Sequence, residues 1–160
     1  MKTRLPSRAH LVVDALVALL TPDPEDPGDE LAGVQVIDGP VLNESNLAND
    51  ALLVAPGTPD EPGLVANMVP TTSLGRQTYL ERCEVTMVLS CYSGDTDMSP
   101  LRARAAAILA AIKARAEGQQ SNGDAWERVY FGSQGAWFPV QTDTGAVVTV
   151  GFTLVTEATI

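Results

Sequence analysis

Hydrophobic and polar residues alternate most regularly in the middle of the chain, between Arg82 and Tyr92. The odd-numbered positions form a wholly apolar series: Cys83, Val85, Met87, Leu89 and Cys91. The even-numbered positions are mostly polar. Because successive side chains of a strand point to opposite faces, this pattern predicts one long strand with a single face on a core.

A turn and a helix are predicted after this strand. The turn-forming residues are Ser93, Gly94, Asp95 and Asp97. Over residues 98–116, apolar residues recur at spacings of three and four, which predicts a helix with one apolar stripe. Either Asp97 or, as a second choice, Ser99 can accept the free N–H groups of its first turn. We interpret Asp95 as a support of the same turn rather than a metal ligand, since acids are stabilised at helix N-termini.

The remaining periodicities predict one more helix and several more strands. We predict a helix over residues 6–20, strands over 34–38, 51–55 and 126–132, and two closing strands around a turn at 143–145. Both faces of the last strand are partly apolar, so we expect it to be central or covered on both sides. The prolines, glycines and polar residues of 56–78 predict a long loop with little regular structure.

These elements predict a single α+β domain spanning residues 1–160. We expect a mainly antiparallel sheet of about five to six strands, with helices 6–20 and 98–116 packed on it. The apolar face from Cys83 to Cys91 should lie beneath the second helix. Those two cysteines would then be about 26 Å apart, at roughly 3.3 Å per residue, which is too far for a disulfide.

The charge of the chain argues against one broad class of function. Twenty acidic residues against ten Lys and Arg give a net charge of −10 and a pI near 4.3. A protein that grips nucleic acid by its phosphates needs clustered cations. No run of about 18 uncharged apolar residues is present, so we expect no membrane partner. The apolar segment after the basic N-terminus is interrupted by Asp14, and we therefore expect a protein made in a cytoplasm rather than a secreted one.

Motifs for catalysis or metal binding are absent from the sequence. It contains no nucleophile elbow, phosphate-binding glycine loop, HExxH helix or CxxC pair. His10 is the only histidine, and no residue near it in the sequence would make it a catalytic base. We therefore predict no catalytic residue, no metal site and no cofactor.

Five segments, taken in chain order, carry a resemblance to a known family. They are LPSRAHLVVDALVALL, VQVIDGP, ALLVAPG, EVTMVLSCYSGDTDMSPLRARAAAILAAI and GAVVTVGFTLVTEATI. In this order they resemble the tail terminator (tail completion) proteins of long-tailed bacteriophages, especially those of actinobacterial phages and prophages. The turn at residues 93–97, before a helix rich in arginine and alanine, is the most specific of them. The resemblance covers most of the chain, apart from residues 56–78.

The resemblance implies a structural virion protein of a siphovirus, without enzymatic activity. Such a protein forms a ring, typically a homohexamer, that caps the tail tube protein. The ring then joins the tail to the head–tail connector or stopper protein in the neck, and DNA passes through its centre without specific binding. The implied location is the tail or neck of the virion, after assembly in the host cytoplasm.

We predict that the long loop 56–78 and residues 132–144 form intersubunit or tail-tube contacts, through four candidate residues in or beside these segments. They are Arg76, Tyr79, Trp137 and Phe138, and the last two stand out because aromatic residues make up only 5% of the chain. We expect the inner surface of a ring to be acidic or neutral, with no continuous belt of Lys and Arg. Two alternatives remain open from the sequence: a head-closure or connector protein on the head side of the neck, and a small ligand-binding or enzymatic α+β domain.

Overall fold

The structure is a computed structural model that describes residues 7–40, 47–73, 75–119, 121–132 and 135–160, without the side chains of Ser73 and Arg76. Its helices and strands are α1 (Ala9–Leu20), β1 (Val34–Asp38), β2 (Asp50–Val54), β3 (Leu64–Ser73), β4 (Arg76–Ser93), α2 (Met98–Gly118), β5 (Arg128–Phe131), β6 (Ala136–Thr142) and β7 (Gly145–Thr159). The predicted single-domain α+β class is confirmed, with a 7-stranded sheet in place of the smaller one expected.

All seven strands of the described residues belong to one sheet with β4 and β7 at its centre. The strand order is β1-β2-β4-β7-β5, with β3 paired to β4 and β6 paired to β7. Every pairing is antiparallel except that of β1 with β2. β2 and β3 lie end to end along one side of β4, and β5 and β6 lie end to end along the far side of β7. The last strand is therefore central, as predicted.

The core lies between the helices and one face of the sheet. The apolar series from Cys83 to Cys91 is buried, as is the even-numbered series of β7 from Ala146 to Leu154. α1 contacts β1, β2 and β4, while α2 contacts β4, β5 and β7. The buried side chains of both helices and of this sheet face form one hydrophobic cluster. The predicted position of the Cys83–Cys91 face beneath the second helix is thus confirmed.

The prediction of a long loop over residues 56–78 is wrong. This stretch contains all of β3 and the start of β4, which pair as an antiparallel hairpin around a turn that includes Gly75. Gly75 has a φ of 75°, a left-handed conformation that glycine adopts without strain. Pro70 lies within β3, and proline is tolerated on an edge strand, where its missing N–H need not serve the ladder.

The starts of α1 and β5 also differ from expectation. The first helix begins at Ala9 rather than at residue 6, which lies outside the described residues. The predicted strand over 126–132 starts too early, because β5 begins at Arg128 and Trp126 makes an isolated bridge with Asn122. Its indole is fully buried, because it fills the core next to the strand instead of extending the strand.

Candidate interaction surfaces

The turn between β4 and α2 is held by a series of hydrogen bonds from backbone to side chain. The N–H of Asp95 donates to Ser93 Oγ at 3.2 Å, and the N–H of Asp97 donates to Asp95 Oδ1 at 3.2 Å. The N–H of Ser99 then donates to Asp97 Oδ1 at 3.2 Å, so that Asp97 is the N-cap of α2. Gly94 is exposed between them. Both carboxylates accept from backbone N–H groups, an arrangement that supports the start of a helix.

The strand β6 carries the largest exposed apolar side chains of the described residues. Trp137 is 43% exposed, Phe138 60% and Val140 55%. The register places Trp137 opposite Val150, on the helix side of the sheet, and Phe138 opposite Thr149, on the other side. Both faces of β6 therefore present apolar surface to solvent.

A second exposed apolar group lies in the hairpin of β3 and β4. Met68, Val69 and Tyr79 are all exposed in part. The backbone of Tyr79 pairs with that of Ile160, so β4 residues before Tyr79 have no β7 partner in the part of the chain that is described. The hairpin thus extends beyond the end of β7 by about four residues, or roughly 13 Å. Arg76 begins β4 in this extension, and its side chain lies outside what the structure describes.

The structure does not bring the four candidate contact residues together. Arg76 and Tyr79 belong to the hairpin on the β4 side of the sheet, whereas Trp137 and Phe138 lie on the opposite edge, beyond β7. They form two separate surfaces, one at each side of the molecule.

The face of the sheet opposite the helices forms a third surface, which we call the helix-free face. It comprises the even-numbered residues of β4, the odd-numbered residues of β7 and their neighbours in register on the other strands. None of these side chains belongs to the hydrophobic core cluster. Its central side chains are half-buried and mainly hydroxyl-bearing or small and apolar: Thr86, Val88, Ser90, Val147, Thr149 and Thr153.

Charges on the central strands of the helix-free face are arranged in opposite-sign neighbours. Arg128 lies opposite Glu157 on β7, and Glu157 lies opposite Arg82 on β4. The Arg128–Glu157 pair is at 3.6 Å, and Arg82 pairs with Glu84 at 3.3 Å. Tyr130 also donates a hydrogen bond to Glu157 at 3.0 Å. Two arginines and two glutamates thus balance on the described part of β4, β5 and β7 in this face.

An open groove of about 1090 Å³ lies where α1 begins, beside the hairpin and the last residues of β7. Its wall combines apolar side chains, such as Leu11 and Met68, with charged ones, such as Arg8, Asp124 and Glu127. His10 lies here too, on the exposed side of α1. The groove is not the closed apolar pocket with convergent polar groups that is typical of a small-molecule site.

Buried reactive groups occur in the core but form no site. Burial raises the pKa of the Cys83 thiol to about 11 and that of Cys91 to about 12, so both are protonated and unreactive at neutral pH. Trp126 Nε1 has no hydrogen-bond partner among the described residues. The described ranges contain no cluster of His, Cys, Asp and Glu suited to a metal ion, and no helix in them is long and apolar enough to cross a membrane.

One contact that the sequence did not reveal joins β4 to the start of α1. The carboxylate of Glu81, only 2% exposed, accepts hydrogen bonds from Ser7 Oγ and from the backbone N–H of Arg8 at 2.7 Å. α1 has no acidic residue in its first turn and no side-chain cap at Arg8. Glu81 therefore supplies the negative charge that a helix N-terminus favours, from a strand distant in sequence.

Comparison with known proteins gives little guidance. No protein-family model matches the chain, and no curated protein matches it. Among solved structures, a chain from the "Virion of native gene transfer agent (GTA) particle" is similar at 12% sequence identity and a TM-score of 0.49, covering 94% of this chain and 98% of that one. A similarity of this size is too low to support a common fold or a function.

Proposed function

We propose that this protein is a structural subunit of a bacteriophage tail, a terminator that forms a ring at the end of the tail tube and joins it to the head connector. The observation that carries the proposal is the helix-free face, which leaves one whole side of a seven-stranded sheet without a helical cover in the described part of the chain. The resemblance of the five sequence segments to tail terminators supplies the specific role.

In the proposed ring, the helix-free face lines the channel and the two helices lie outside. Its central side chains are short and mostly uncharged, and the four charged side chains that the structure describes there on β4, β5 and β7 lie beside opposite charges. A wall of this kind lacks the clustered cations that hold phosphates, so DNA would pass along it without being retained. This agrees with the net charge of −10.

Dissection of phage particles tests the position of the protein. A terminator should remain on purified, headless tails and be absent from DNA-filled heads without tails. Tails made without the protein should be irregular in length, because nothing would stop the addition of tube subunits. Recovery on heads alone would instead identify a head-side neck protein, and recovery on neither would remove the virion role.

Binding to duplex DNA tests the channel wall. The purified protein should show no retained band in a gel-shift titration at low salt, since the described part of the helix-free face offers no belt of cations. Tight binding that weakens steeply as salt is raised would contradict a passive channel and favour a protein that grips DNA.

The aromatic residues of β6 provide a test of the contact surface. Replacing Trp137 and Phe138 by alanine should reduce assembly onto tails, because both are large, exposed and on an edge of the sheet. Tyr92→Ala is the matched control, since Tyr92 is a similarly exposed aromatic but lies on the central strand β4. Equal assembly by all these variants would remove β6 from the interface.

A further inference from the structure

Two strand edges of the sheet are open and carry no charge. Within the described chain, β3 pairs only with β4 and β6 pairs only with β7. Their sequences, LVANMVPTTS and AWFPVQT, contain none of the 30 acidic and basic residues, which are 20 Asp and Glu and 10 Lys and Arg. Monomeric proteins commonly place charges on such edges to prevent pairing with another chain. Without such charges, the open edges of β3 and β6 can pair with a strand of another chain.

The direction of the backbone groups follows from hydrogen bonds already formed. Thr86 N–H donates to the carbonyl of Gly63. The backbone N–H and C=O groups of odd-numbered β3 residues therefore point toward β4, and those of even-numbered residues point toward the open edge. Gly132 N–H donates to the carbonyl of Thr153, so the backbone N–H and C=O groups of odd-numbered β7 residues point away from β4. These residues pair with even-numbered residues of β6. The backbone groups of odd-numbered β6 residues therefore point toward the open edge.

The same parity explains how both edges accommodate a proline. Pro70 of β3 and Pro139 of β6 each turn the nitrogen that lacks a hydrogen toward the open edge, where no internal ladder bond is lost. Their neighbours on the same edge, Met68 and Trp137 among them, keep free N–H and carbonyl groups. An incoming strand can bond to these in any register that does not place the two prolines opposite each other.

We propose that the two edges pair with each other between copies of this chain, β6 of one copy forming an antiparallel ladder with β3 of the next. β3, β4, β7 and β6 run in alternating directions, so a copy placed beside the first in the same orientation continues the alternation. Phe138 and Val140 on the helix-free face of one copy then lie beside Val65 and Val69 on the same face of the next. This proposal rests on the proposed ring, and it identifies the contact between neighbouring subunits of that ring.

The positions of the two edges suit a closed barrel rather than a flat sheet. β6 lies beside residues 145–151 of β7, whereas β3 lies beside residues 76–85 of β4, near the opposite end of the sheet. Joining the edges therefore shifts each copy along the strands relative to the one before it. Strand stagger of this kind is what closure of a barrel requires.

Cysteine cross-linking tests the ladder, using the full-length protein. Phe138→Cys is combined with a cysteine at Val65, Asn67 or Val69, which share its face, or at Ala66 or Met68, which lie on the opposite face. Within one chain these edges are separated by β4 and β7, hence by about 14 Å, which no disulfide can span. The native thiols of Cys83 and Cys91 are buried and add no background.

We expect a series of disulfide-linked oligomers when the β3 cysteine is at an odd-numbered position and none when it is at an even-numbered one. Circular dichroism and the melting temperature of the unlinked variants should be unchanged. Equal linking at odd and even positions, or no linking in high NaCl at any protein concentration up to the solubility limit, would overturn the strand pairing. Protein that assembles on tails without the parity pattern would reject the ladder and keep the terminator role. Linking at odd-numbered positions only, in a protein that is absent from tails, would keep the strand pairing and reject the terminator role.

Discussion

Replacing Glu81 by alanine should destabilise the protein more than the loss of any other acidic residue on β4. The carboxylate is 2% exposed and accepts from Ser7 Oγ and from Arg8 N–H at 2.7 Å, while Ser7 Oγ accepts from Ala9 N–H at 3.1 Å. Hydrogen bonds to a charged group contribute about 1.5–3 kcal/mol each, and the mutation leaves Arg8 N–H without its acceptor. We expect the free energy of unfolding to fall by about 2–4 kcal/mol.

Glu84→Ala is the matched control for this measurement. Glu84 lies three residues further along β4, on the helix-free face, with its side chain 44% exposed and paired to Arg82 at 3.3 Å. An exposed ion pair contributes about 0–1 kcal/mol, so the control should change little. Urea unfolding followed by far-UV circular dichroism measures both variants, and Glu81→Gln should fall between them because it keeps one acceptor oxygen. If Glu81→Ala and Glu84→Ala differed by less than about 0.5 kcal/mol, the capping role of Glu81 would be refuted.

Four further predictions follow from the same structure. Ile108→Asp should cost more than about 3 kcal/mol of unfolding free energy, because it buries an unpaired charge in the core; an equally stable variant would contradict the packing of α2. Asp97→Ala should cost about 1 kcal/mol through loss of the helix cap, and a rise in melting temperature with calcium that the mutation abolishes would show a metal site instead. Hydrogen bonds from the backbone N–H groups of residues 23 and 31, together with Arg115, hold the pKa of Asp29 at about 2, below its ordinary 3.8. The contribution of Asp29 to the stability of the fold is therefore complete above pH 3.8 and is lost as the pH falls through about 2. Asp29→Asn should therefore flatten the acid limb of a stability–pH curve, and an unchanged curve would contradict this. Self-association measured by sedimentation should strengthen with added NaCl, and weakening would contradict the uncharged edges as the contact.

The sequence was most informative where one face of an element meets the core. The alternation from Cys83 to Cys91 predicted β4 because burial selects apolar residues on one side only. β3 escaped prediction for the opposite reason: Val65 and Val69 are exposed on one face and Met68 on the other, so no alternation marks it. Nor does any local pattern connect Glu81 to the start of α1, since that contact exists only once the strand and helix are packed.

The candidate surfaces were predicted only in part, for a related reason. Trp137 and Phe138 stand out in the sequence as large aromatics, and the structure shows them exposed on an edge strand. The position of that edge relative to β3 carries the information, because two strands, β4 and β7, separate β6 from β3 in the sheet and the two edges are far apart in the chain. Sequence spacing does not contain this relation, because it arises from the order in which β3, β4, β7 and β6 pair.

The distribution of charge connects the open edges to the acidity of the chain. Exposed acids are concentrated in the turns at 23–30 and at 60–61, while β3 and β6 have none. Like charges repel two approaching copies over about 10 Å at 0.1 M salt, and added salt shortens that range. The hydrogen bonds and apolar contacts of an edge ladder act only at contact and are little affected by screening. Net charge would therefore oppose association of free subunits while leaving the edges able to bind once a tail end holds the copies in place, which is why we expect salt to favour the assembled form.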